Sequence, residues 1–227
     1  MAALTFEGFP PRSLTLLAEL AVNNNKTWFD AHKGEYESSL KEPALAFGEE
    51  MAERLSAIAP GPPLRASLFR IYRDLRFSKD KTPYKTHVGI PFTAGERSKG
   101  ESPGFYFHLE AHQLMLGGGL HAFPKRVLEA YRKAVVGEEL GPRLAQIMEA
   151  LRKDGYDVWG ETYKRVPRGY DPYHPRAKLL RHSGLFAGVT LAPPSELHSP
   201  ELLDLSFGYY RPLVPLLEWL RHLDSAP

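Results

Sequence analysis

The apolar residues of this chain change their period once, and that change limits the fold more than any other feature. Up to Ile58 they recur three and four apart: Leu14, Leu17 and Ala21, then Phe47, Met51, Leu55 and Ile58. Such spacing lays an apolar stripe along a helix. Trp28, His32, Tyr36 and Leu40 repeat every four residues, so they share one helix face, which reads mainly as core. Phe9-Pro10-Pro11-Arg12 opens the first helix, and Asn23-Asn24-Asn25 ends it and caps the second. Pro43 begins the third, and Pro60-Gly61-Pro62-Pro63 stops it. From Leu68 short β-like segments follow, at 67–75, 85–92, 104–112 and 113–116.

After Phe123-Pro124 and around Gly141-Pro142 two further helices are expected. A strand over 156–166, an irregular loop over 167–175, a short helix over 176–181 and a strand over 185–191 come next. A last helix starts at Pro200, reaches Leu223 and is kinked near Pro212 and Pro215. Helices first, then strands, then mixed elements predict an α+β fold with a central antiparallel or mixed sheet packed with helices. Strictly alternating β-α units are absent, which argues against a Rossmann or barrel fold. The expected organisation is one domain over 1–227, helical to about residue 60, sheet-rich over about 65–120 and mixed thereafter.

Composition sets outer limits on function. Hydrophobic residues at 43% supply enough material for a sizeable core. A formal net charge of +2 is too small to imply nucleic acid by itself. The absence of cysteine excludes disulfides, Fe–S clusters, thiolate zinc sites and cysteine nucleophiles. The first residues lack the pattern of a secretory signal, and no apolar run approaches a bilayer-spanning length. A cytoplasmic protein without membrane contact is therefore expected.

Four constellations bear on chemistry. The first, from Arg70 to Tyr84, gathers Arg70, Arg73, Arg76, Lys79 and Lys81 around Asp74 and Asp80, with Tyr72, Phe77 and Tyr84 between them. As a strand it would place Arg70, Tyr72, Asp74 and Arg76 on one face, an anion cradle of arginine forks. The competing reading is a salt-bridge network to helix carboxylates such as Glu49, Glu50 or Glu53. In the second, His108, Glu110 and His112 alternate along a strand and would point the same way. Two imidazoles and a carboxylate suit a divalent metal. With the motif so short and no distant ligand evident, no metal site is assigned.

In the third, Gly117-Gly118-Gly119 precede a helix start, where backbone N–H groups could approach an anion. The alternative is a bulge or close strand packing. In the fourth, Lys164, Arg165, Arg168, Arg176, Lys178 and Arg181 lie among Tyr163, Tyr170, Tyr173 and His174. Basic residues interleaved with aromatics can hold single-stranded nucleic acid; the alternative is a solvated loop packed on the core.

Arg70-x-x-Arg73-Asp74-x-Arg76-Phe77-x-x-x-Lys81-x-Pro83-Tyr84 resembles the defining motif of a mainly bacterial family, domain of unknown function 2461. Trp28-Phe29, Tyr106-Phe107-His108-x-Glu110, Gly117-Gly118-Gly119 with Pro124, and Lys164-Arg165-x-Pro167 with His174-Pro175 match as well. The resemblance covers nearly the whole chain and implies no reaction, cofactor or substrate. In the family the stretch after Glu110 usually continues into Pro-Gly, whereas Ala111-His112 stand here, which weakens a metal role for His112.

The leading expectation is an enzyme or ligand-binding protein with a basic cleft for a phosphate- or carboxylate-bearing molecule. Arg70, Arg73, Arg76, Lys81, Tyr84, Gly117, Gly118, Gly119, Lys164 and Arg165 would bind the anion. Asp74, Glu110 and His108 would be the catalytic groups. The alternatives are a nucleic-acid-binding protein and a scaffold in which the Arg/Asp motif is structural.

Overall fold

The computed structural model describes residues 5–59, 61–76, 78–95 and 102–224. Its centre is a six-stranded sheet made of β1 (Leu64–Ala66), β2 (His87–Ala94), β3 (Gly104–Glu110), β4 (Leu114–Leu120), β5 (Asp157–Glu161) and β6 (His182–Leu191). The order is β1-β2-β3-β4-β6-β5, and every pairing is antiparallel. This is the expected α+β class. The C-terminal β6 lies between β4 and the edge strand β5, so the two halves of the chain share one sheet.

Alternation decides which face becomes core. Val88, Ile90 and Phe92 of β2 lie opposite Leu109, Phe107 and Phe105 of β3, and β4 continues that face with Leu114 and Leu116. All are buried. Helices α1 (Arg12–Val22), α3 (Glu42–Ser56), α6 (Glu201–Tyr210) and α7 (Val214–Asp224) contact the sheet. Phe47 of α3 reaches Phe107 at 4.6 Å between ring centroids, and Tyr210 of α6 reaches Phe105 at 5.2 Å. The other face carries His87, Gly89, Tyr106, His108, Glu110, Met115 and Phe186. Its large side chains remain partly accessible.

The helix expected to begin at Pro43 does not stand alone. α2 (Lys26–Tyr36) runs through a π-helical turn, Glu37–Lys41, straight into α3. The Glu42 N–H reaches back five residues to the Glu37 carbonyl. Pro43 has no N–H to offer the Ser39 carbonyl four residues earlier. The hydroxyl of buried Ser13 in α1 donates to that carbonyl at 2.6 Å instead. The π turn thus ties the rod to α1.

Elsewhere the strands are shorter than expected or displaced. The segment over 67–75 is not a strand. After β1 the Ser67 and Phe69 amides still donate to the Pro91 and Gly89 carbonyls, at 3.1 and 2.9 Å, and then the chain leaves the sheet. The expected strand over 156–166 is confined to β5, the strand over 185–191 starts earlier, at His182, and the expected short helix contracts to one 3₁₀ turn, Leu179–Arg181. Gly117, Gly118 and Gly119 do not precede a helix: they lie inside β4, paired to β3 and β6. Gly119 has φ +144°, and a Cβ there would stand 2.2 Å from the Leu185 carbonyl oxygen. Close strand packing therefore accounts for glycine at that position. The last helix divides into α6, a 3₁₀ turn at Arg211–Leu213 and α7, around Pro212. Among the described residues no helix is long and apolar enough to cross a membrane.

Replacing Ser13 by Ala leaves the Ser39 carbonyl buried without its donor, an expected cost of about 1–3 kcal/mol. Urea denaturation should show that loss at an unchanged m-value. The same substitution at exposed Ser38 is expected to be nearly neutral.

Candidate functional site

The charged motif forms a small lobe beside the sheet. Tyr72 bridges to Tyr84. The Arg73 amide donates to the Pro83 carbonyl at 2.9 Å, and the Lys85 amide to the Ile71 carbonyl at 2.8 Å. The Asn-rich turn anchors the lobe. Asn24 both donates to the Tyr84 carbonyl and accepts from its amide, each at 3.0 Å. The buried Tyr84 ring stacks on Phe29 of α2 at 4.2 Å. Asn25 caps α2 by accepting from the Trp28 amide, as expected.

Among the described residues, Arg73 and Arg76 pair with carboxylates inside the lobe, and no ion pair runs from it to Glu49, Glu50 or Glu53. Arg73 donates to Asp80 and Thr82. Arg76 forks onto Asp74, with Nη2 2.6 Å from Oδ2. Lys81 donates to the Leu75 carbonyl at 3.1 Å. Hydrogen bonds from Arg76 hold the Asp74 carboxyl down at about 2, and those from Arg73 and Thr82 do the same for Asp80. Arg70, Tyr72, Asp74 and Arg76 therefore do not line one strand face, and Asp74 is engaged as an arginine partner. Phe77 lies outside the described residues.

Lys85 is held differently. Its ammonium donates to the carbonyls of Arg70, at 2.6 Å, and Tyr72, at 2.8 Å. Burial pushes its pKa down, and the nearby Arg70 and Arg73 push it further. Three cations crowd this end of the lobe, and among the described residues Arg73 alone of the three has an ion pair, to Asp80.

Two residues on, the chain enters β2 at His87, directly opposite Glu110. The His108 and Glu110 side chains share a face of β3, 16% and 39% exposed, with His108 Nε2 2.8 Å from Glu110 Oε1. Both are held from outside. The Tyr106 hydroxyl lies 3.1 Å from His108 Nδ1, and Gln113 Nε2 donates to Glu110 Oε2 at 3.0 Å. A carboxylate oxygen only accepts, so in a neutral His108 the Nε2 carries the proton and Nδ1 accepts from Tyr106. Gly89 makes room for Tyr106, because a Cβ there would stand 2.6 Å from the phenolic oxygen. The His87 ring stacks on His108 at 4.4 Å. Burial is the largest cause that lowers the His87 pKa to about 4; His108, Lys85 and Arg73 add to it, and Glu110 opposes.

The structure thus brings His108, Glu110 and the Arg73 end of the motif to one neighbourhood. It also corrects the expected partner on the sheet. His112 sits exposed in the turn between β3 and β4, and His87 of β2 takes the third position. Sequence reasoning missed His87, Lys85, Tyr106 and Gln113. The signal available was the alternation His87, Gly89, Pro91 at the start of a strand, which registers on the other strand only once the pairing is known.

The remaining expected residues lie elsewhere. Lys164 and Arg165 are exposed in the loop after β5, at the edge of the sheet remote from β2. Arg176, in the same loop, donates to the carbonyls of Val135 and Gly137, at 2.6 and 3.2 Å, and so closes the C-terminus of α4 (Lys125–Val136). Arg181 pairs with Glu161. A family model described as "Conserved hypothetical protein (DUF2461)" matches residues 12–219. No curated protein matches the chain.

The sign of the Asp74 and Asp80 shifts sets a pH expectation. A carboxyl pKa depressed to about 2 contributes order above its unfolded value near ~3.9 and loses that contribution as pH falls through about 2. The Arg76 and Thr82 amides, which donate to Asp74 and Asp80, should shift between about pH 4 and 2 in NMR spectra. Asp74→Asn should stay folded with little change in Tm, because the pair is at the surface; a cooperative collapse of this variant at neutral pH would mean the pair is architectural.

Proposed function

The chain belongs to the family of conserved hypothetical proteins (DUF2461), a description without a reaction, and we propose that it binds and acts on a small anionic molecule beside His108 and Glu110. The observation that carries this reading is the crowding of Lys85, Arg70 and Arg73 next to an oriented His108–Glu110 pair. Like charges packed together are costly, and a phosphate or carboxylate relieves that cost while accepting charge-assisted hydrogen bonds. Arg70 and Arg73 retain the anion-binding role expected from the motif, and Lys85 joins them. His108 and Glu110 are the groups that meet the reacting part of the ligand. Asp74, Arg76, Lys81 and Tyr84 shape the lobe that brings the cations there. The protein is read as a single domain acting in the cytoplasm.

A panel of small phosphates and carboxylates, followed by NMR with and without a chelator, tests the reading. Binding should perturb His87, His108 and the 70–85 lobe together. Arg70→Glu and Lys85→Met should each weaken it about ten-fold or more, the scale of a hydrogen bond to a charged group. Binding that ignores these substitutions, or binding only of single-stranded oligonucleotides in a salt-dependent way through Lys164 and Arg165, would overturn it.

A further inference from the structure

One donor atom from each of His87, His108 and Glu110 lies within 4.8 Å of the other two. The cluster spans two strands. The β2–β3 register sets His87 opposite Glu110, and His108 is two residues along on the same face. No loop has to fold over to complete it. We propose that His87, His108 and Glu110 bind one divalent transition-metal ion, of the zinc, iron(II) or manganese(II) kind, whose remaining coordination positions take the anionic ligand. The inference rests on reading this end of the sheet as the functional site.

Three features separate this cluster from a chance gathering of polar side chains. The first is the donor set. Two imidazoles and one carboxylate match borderline divalent metals and leave positions open. The second is the supporting shell. Metal-bound histidine commonly engages its other ring nitrogen, and bound carboxylates are themselves hydrogen-bonded. Tyr106 stands at His108 Nδ1, and Gln113 holds the second oxygen of Glu110. When a metal takes His108 Nε2, the proton moves to Nδ1 and the Tyr106 oxygen accepts it, so the contact survives with its direction reversed. The third is spacing. Neighbouring ligands on a metal with bonds of ~2.1 Å stand about 3 Å apart, close to the 2.8 Å between His108 Nε2 and Glu110 Oε1. His87 is the ligand that has to be drawn in.

The charge balance explains why anion and metal belong together. One carboxylate leaves a divalent ion with a net positive charge, and Lys85, Arg70 and Arg73 add more. The open positions then favour a phosphate or carboxylate over water, with the cations holding its outer oxygens.

The test uses the whole 227-residue chain stripped with chelator and then equilibrated with Zn²⁺ or Mn²⁺ alone. One equivalent per chain is expected by elemental analysis, and Co²⁺ substitution should give a visible absorption band. His87→Ala and Glu110→Gln should abolish stoichiometric binding while circular dichroism stays unchanged. Tyr106→Phe and Gln113→Ala should weaken it 10- to 100-fold, the usual effect of removing an outer partner. His112→Ala should bind as the parent does. Binding that persists in His87→Ala, or is lost in His112→Ala, overturns the assignment. So does the absence of stoichiometric metal. If no stoichiometric metal binds but anions still do, the metal fails and the anion site stands; if anions bind neither with nor without metal, the reading of this end of the sheet as the functional site fails too.

Discussion

The pairing register of β2 and β3 is the constraint on which the rest of the molecule depends. Side chains in a strand alternate with a period of two, so a slip of one residue turns every one of them to the other face. In the observed register Val88, Ile90 and Phe92 meet Leu109, Phe107 and Phe105 beneath the helices, while His87 meets Glu110 on the open side. A one-residue slip of β2 would carry His87 to the face that Phe47 covers, without a partner, at the cost of a buried polar group. Burial of the aromatic face therefore fixes the position of the polar cluster. The cluster needs no affinity of its own to be assembled.

The charged lobe is a second-level consequence. Its identifying residues look like an anion cradle in one dimension, but much of their charge closes on itself through Arg73–Asp80 and Arg76–Asp74. What emerges from the lobe is position. Asn24 and Phe29 pin Tyr84, the chain proceeds through Lys85, and the next strand begins at His87. The local pairs give the loop a shape, and that shape delivers Lys85 and Arg73 to the side of His87.

Much of the architecture was legible in the sequence because it rests on periodicity. Helical stripes before Ile58, alternation in β2 and β3, and helix stops at proline all follow from local rules, and the α+β class follows from their order. The π turn at Glu37–Lys41 was not legible, because it depends on Ser13 reaching a carbonyl 26 residues away. The segment over 67–75 misled because charged and aromatic residues alternate there as in a strand, yet Arg73 and Arg76 find carboxylates within the loop. For the site, His108 and Glu110 were visible as a pair on one strand. Their third partner was not, since His112 is nearest in sequence and His87 is nearest in space. Register is a tertiary property, and a single sequence carries no direct mark of it.

The central claim is that this register holds one oriented histidine–carboxylate pair on the open face of the sheet. The tautomer of His108 reports it most directly, through long-range proton–nitrogen NMR of the metal-free protein. The contacts predict that the neutral form of His108 carries its proton on Nε2, facing Glu110, while Nδ1 accepts from Tyr106. An imidazole that averages rapidly between tautomers, or one protonated on Nδ1 alone, would contradict it.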